Sequence, residues 1–188
     1  MATAKPLPAG LLSSARFVAS PNHNTRPAGC EVSLLVLHNI SLPPGQFGTG
    51  CVEQFFCNRL DWHAHPYFRN IEGMEVSAHL LIERSGALIQ FVPLELRAWH
   101  AGRSRFEGQA NCNDFSIGIE LEGTDEQPYT DAQYRALVAV TLQLQQRFPQ
   151  LTDARIVGHS DIAPGRKTDP GPAFDWDRFR AQLAQARQ

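Results

Sequence analysis

The segment Gly158-His159-Ser160-Asp161-Ile162-Ala163-Pro164-Gly165-Arg166-Lys167-Thr168-Asp169-Pro170-Gly171 brings an imidazole, an ammonium and a carboxylate into one short stretch punctuated by Pro and Gly. Far upstream, His38 closes the apolar run Ser33-Leu34-Leu35-Val36-Leu37, where a buried strand reaches the edge of its sheet. Two histidines and one carboxylate, His38, His159 and Asp169, make a three-ligand zinc set with one position open, the arrangement of catalytic rather than structural zinc. Spacing alone is a weak signal, because His159 and Asp169 stand 10 residues apart while His38 precedes His159 by 121. Position strengthens it: Pro170 biases Asp169 toward an extended backbone and so restricts its carboxylate.

Zinc in such a set lowers the pKa of a bound water to about 7. Hydrolysis of an amide would then need a group that takes and returns a proton, and a positive charge or donor where the oxyanion forms. Glu120, on the non-apolar face of its strand, is the candidate base, and Lys167, two residues before Asp169, is the candidate cation. Each has a plain alternative. A histidine at a strand end is more often hydrogen-bonded structure than a ligand, Lys167 could be an ordinary surface lysine, and Glu120 could simply face outward. His79 reads as core packing or support for a ligand, His63, His65 and His100 as polar loop or cleft residues, and His23 as solvated.

These residues need elements to position them. After the strand that His38 ends, Ser41 to Gly50 has turn chemistry throughout and reads as a loop. Val52 to Leu60 reads as a short amphipathic helix, with Val52, Phe55, Phe56 and Leu60 on one face. Ser77 to Ile82 and Ala87 to Val92 form a hairpin through Arg84-Ser85-Gly86. Phe115 to Leu121 alternates, with Phe115, Ile117, Ile119 and Leu121 facing one way and Ser116, Gly118, Glu120 and Glu122 the other. Thr130-Asp131-Ala132-Gln133 is a capping box opening a helix that Pro149 stops. Arg155 to His159 is a short strand ending on the second histidine, and Asp175 caps a last helix. Strands separated by helices predict an α/β fold, a central mixed β-sheet flanked by helices, with both histidines at strand ends beside loops.

At 188 residues and 43% hydrophobic, the chain can bury a core and reads as one domain, residues 31–188, preceded by an irregular Pro-, Ala-, Ser- and Asn-rich arm at 1–30. Its 17 basic and 19 acidic residues are scattered, which excludes a phosphate-tracking stripe and with it a nucleic-acid partner. The apolar stretch before Ser20 is broken by Gly10 and Ser13-Ser14, too short for a signal-peptide core, and no later segment approaches a membrane span. Cys30, Cys51, Cys57 and Cys112 form no C-x-x-C pair and suit a reducing compartment. A cytoplasmic monomer is expected.

The chain resembles a known family, the N-acetylmuramyl-L-alanine amidases related to peptidoglycan recognition proteins, and within it the type acting on 1,6-anhydro-muropeptides. The likeness covers nearly everything after Ser20. It rests on the blocks Leu37-His38-Asn39-Ile40-Ser41-Leu42-Pro43-Pro44-Gly45, Ala64-His65-Pro66-Tyr67-Phe68, Val76-Ser77-Ala78-His79, Arg97-Ala98-Trp99-His100-Ala101-Gly102, Asn113 to Thr124, and the His159 to Gly171 segment. The resemblance implies zinc on His38, His159 and Asp169, with Glu120 and Lys167 assisting catalysis. It implies cleavage between the lactyl group of muramic acid and L-alanine in recycled, soluble cell-wall fragments, and substrate contacts from Asn39 and Trp99. Gly165 departs from the pattern, standing where relatives commonly carry Glu. Two other functions stay open at this point: an amidase acting on intact envelope peptidoglycan, and a muropeptide-binding module without catalysis.

Overall fold

The computed structural model describes residues 10–188. In chain order its strands and helices are β1 (Arg16–Phe17), β2 (His23–Thr25), β3 (Leu34–Ile40), α1 (Cys51–Phe56), β4 (Leu80–Ile82), β5 (Leu88–Gln90), β6 (Leu96–Ala98), β7 (Arg105–Phe106), β8 (Gln109–Ala110), β9 (Ser116–Glu122), α2 (Asp131–Arg147), β10 (Ile156–Gly158), α3 (His159–Ile162) and α4 (Trp176–Gln185). Six strands form the central sheet in the order β1-β5-β4-β9-β3-β10. β9 runs parallel to both β3 and β4, β10 is parallel to β3, and β4 and β5 form the antiparallel hairpin. The sheet is therefore mixed, with helices packed on it, as the pattern of the sequence predicts.

Its parallel centre explains the burial. Leu35, Leu37, Ile117 and Ile119 point to one face, where Tyr134, Leu137 and Leu144 of α2 and Phe179 and Leu183 of α4 cover them. Each such side chain contributes about 1.5–3 kcal/mol relative to exposure. The opposite face carries Leu34 and Val36 of β3 and Leu81 of β4, packed in two smaller clusters with Ala101, Cys112 and Ile162 and with Phe55, Phe56 and Phe91. Alternation in β9 thus does not mean a solvated face: all seven residues are buried, because a parallel strand with neighbours on both sides is covered on both faces.

Several boundaries differ from expectation. The helix expected over Val52–Leu60 stops at Phe56, since Asn58 turns to a left-handed φ of 55° and exchanges side-chain hydrogen bonds with Asn22, yet Leu60 still reaches the same core. Of the arm expected at 1–30, residues 1–9 lie outside the described residues. The remainder is more regular than its composition suggests: β1 joins the sheet edge against β5, and β2 pairs with β6. Thr130 forms the expected capping box of α2 with Gln133, and Asp175 caps α4.

Candidate metal centre

The strand register assembles the site. In the β3–β9 pair His38 stands directly opposite Glu120, and neighbours in parallel strands project to the same face. In the β3–β10 pair Gly158 stands opposite Leu37, so the residue that follows each of them is a histidine, at the carboxyl edge where α/β sheets present ligand sites. His159 opens α3 rather than ending β10. Asp161 Oδ2 accepts the Gly158 N–H at 2.7 Å, capping that turn, and the Ser160 N–H donates to the Asp169 carbonyl at 3.0 Å, tying the returning loop to the histidine. A Cβ on Gly158 would lie 2.8 Å from Pro170 Cδ, so the close approach of this loop depends on a missing side chain.

Three donor atoms converge. His38 Nδ1 lies 2.9 Å from His159 Nδ1 and 3.1 Å from Asp169 Oδ2, and His159 Nδ1 lies 3.0 Å from the same oxygen. Ligands about 2.0–2.1 Å from a tetrahedral zinc stand about 3.3 Å apart, so this triangle has the right size. Its chemistry fits too. His159 Nε2 lies 3.2 Å from the Ala101 carbonyl, which can only accept; in the neutral ring Nδ1 then turns a lone pair toward Asp169. Burial drives His38 down to about 4, leaving it neutral at pH 7. Lone pairs crowded around a carboxylate repel unless a cation lies among them.

Glu120 completes the floor. Only 8% exposed, it leaves Oε2 without a hydrogen-bond partner. Burial pushes its carboxyl well above the ordinary value, with the charge of Asp169 adding to the shift and Lys167 opposing it. Lys167 is exposed and lines the same cleft, of about 430 Å³, as do Asn39 and Trp99. Among the described residues the structure thus brings together all seven side chains singled out in the sequence. Glu120 does not face outward, being buried with Oε2 unpartnered, whereas Lys167 is exposed as a surface lysine would be and also lines the donor triangle's cleft.

A profile of the N-acetylmuramoyl-L-alanine amidase family matches residues 28–172. The chain belongs to this family. It is 58% identical over 174 residues to the 1,6-anhydro-N-acetylmuramyl-L-alanine amidase AmpD of Enterobacter cloacae, a match covering 93% of this chain and 92% of that one. A crystal structure of a selenomethionine AmpD derivative superposes with a TM-score of 0.91 at 54% identity, covering 95% of this chain and 99% of the other. The Escherichia coli N-acetylmuramyl-L-alanine amidase AmiD, solved with anhydro-N-acetylmuramic acid-L-Ala-D-γ-Glu-L-Lys, superposes with a TM-score of 0.61 at 28% identity, over 85% of this chain and 60% of that one.

In this amidase the cleft walls are partly committed to the protein itself. Asn39 Nδ2 donates to Asp125 Oδ1 at 2.8 Å, and the half-buried Trp99 donates its indole N–H to Asn24 Oδ1 at 2.7 Å. Sequence reasoning assigned no role to Tyr67, an exposed aromatic on the cleft, although its Ala64 to Phe68 block carries part of the family likeness. It also underrated His100, whose Nδ1 lies 2.9 Å from His38 Nε2 and whose ring burial pushes well below the ordinary histidine value. His79, by contrast, is structural: its Nδ1 accepts the Gly118 N–H, its Nε2 faces the Leu96 carbonyl at 3.0 Å, and burial lowers it to about 3.

Proposed function

We propose that this chain hydrolyses the amide bond between the lactyl group of 1,6-anhydro-N-acetylmuramic acid and the L-alanine of soluble muropeptides, in peptidoglycan recycling, using zinc held by His38, His159 and Asp169. The observation that carries the reading is the 3 Å triangle of donor atoms beside a buried, unpartnered Glu120 carboxyl. Zinc, when bound there, supplies Lewis acidity and acidifies water to a pKa of about 7. Glu120 takes the proton released as water adds to the amide carbonyl, and returns it to the departing alanine nitrogen, leaving a lactyl carboxylate and a free amino group. The Lys167 ammonium meets the charge that develops on the carbonyl oxygen. Asn39 and Trp99 border the substrate. The 1,6-anhydro preference is supported by the names of relatives more than half identical over nearly the whole chain.

Incubating the purified protein with an anhydro-muropeptide should release the free peptide, and a chelator should stop the release. Absence of release from zinc-saturated protein would overturn the assignment. Asp169→Ala should lose metal and activity together, measured by metal stoichiometry and peptide release. A cytoplasmic monomer belongs to the same reading; its four free cysteines suit a reducing compartment, and cell fractionation and sedimentation check the two parts.

A further inference from the structure

Behind His38, on the side away from Asp169, a hydrogen-bonded chain runs into the protein. Ser116, fully buried, donates its hydroxyl proton to the Cys112 carbonyl at 2.6 Å. That proton being committed, Ser116 Oγ can only accept from His100 Nε2, 3.1 Å away. His100 Nε2 therefore carries the hydrogen, and in the neutral ring its Nδ1 is bare. Facing it at 2.9 Å, His38 Nε2 must be the donor, which leaves the lone pair of His38 on Nδ1, in the donor triangle. The neighbouring residue does the same for the other histidine, since the Ala101 carbonyl lies 3.2 Å from His159 Nε2.

This two-residue strap is itself held. Asn113 Oδ1 accepts the N–H of His100 at 3.1 Å and of Ala101 at 2.8 Å. The imidazole of His100 packs flat onto the sheet at Gly118, where a Cβ would lie 2.4 Å from His100 Cγ. No residue but glycine leaves room for the ring there.

We propose that the His100–Ala101 strap, backed by Ser116 and Asn113, is the positioning element of the metal centre: it sets the tautomers of His38 and His159 so that both offer a bare Nδ1 to the ion. The proposal rests on the zinc reading above. Groups that orient metal-ligating histidines are typically worth about 10–100-fold in metal affinity.

The test uses 15N-labelled, zinc-free protein and long-range proton–nitrogen spectra of its imidazoles, beside zinc affinity by chelator competition. Wild type should show His38 and His159 protonated at Nε2 and bare at Nδ1. Ser116→Ala frees the His100 proton to move; His38 should then show mixed tautomers and zinc should bind about 10–100-fold more weakly. His100→Leu should lose as much, while His100→Asn, whose Oδ1 stands where the imidazole Nδ1 stood, should restore the His38 tautomer and most of the affinity. Protonation of wild-type His38 at Nδ1, or unchanged tautomer and affinity in both Ser116→Ala and His100→Leu, would overturn the proposal. If wild type takes up no zinc while the His38 tautomer still shifts in Ser116→Ala, the metal reading falls and the relay stands.

Discussion

A carboxylic acid in the floor of a cleft, with one oxygen lacking any partner, costs stability that only a function repays, and Glu120 is in that position. Its strand neighbours explain the setting: β3 on one side and β4 on the other leave it no route to solvent except the cleft. Glu120→Gln keeps the shape and removes the proton acceptor. The variant should bind zinc as wild type does and lose about 10²–10⁴-fold in turnover, read by peptide release beside metal stoichiometry. Wild-type turnover in that variant would take Glu120 out of the reaction. Of the individual residues, the candidate ligands were legible because His38 and the His159 to Gly171 segment sit inside recognisable blocks. His100 was not, because its meaning lies in one 2.9 Å contact with a ring 62 residues away.

Elements are fixed by local rules where their ends carry side-chain caps, and less well where a tertiary contact ends them. The Thr130–Gln133 box and the Asp175 cap are both where local sequence places them, but α1 stops early because Asn58 turns away to meet Asn22. The chain just past α4 is fastened to the turn before β10 by a fork: Arg187 Nη1 and Nη2 both donate to Asp153, and Gln145 of α2 donates to the same carboxylate. The Arg187 hydrogen bonds pull Asp153 down from 3.8 to about 2. A depressed carboxylate adds stability that is present above its unfolded value and lost as pH falls through the folded one, so this contribution should fade between about pH 4 and 2. Both side chains are more than a third exposed, so Asp153→Asn should cost no more than about 1 kcal/mol near neutral pH, vanishing in acid. Thermal melts of the two proteins across that range check it.

At the scale of the molecule, the proposed metal centre exists only in the folded chain, because its candidate ligands come from β3, α3 and the loop that follows it. Zinc should therefore bind the native state and hardly the unfolded one, stabilising the fold by about 2.7 kcal/mol at a free concentration 100 times its dissociation constant. A melting temperature that rises with zinc, falls back with chelator, and does not respond in Asp169→Ala is the expected result. No helix among the described residues is long and apolar enough to cross a membrane. By itself the sequence determined the residue types, the helix caps, the α/β architecture and the family, since these follow from short-range patterns and ordered blocks. Tertiary structure alone decided that seven dispersed side chains share one cleft, that both faces of β9 are covered, and that His100 stands behind His38. Strand register sets those facts, and register is chosen by how the whole sheet buries its apolar face, a property no local window contains.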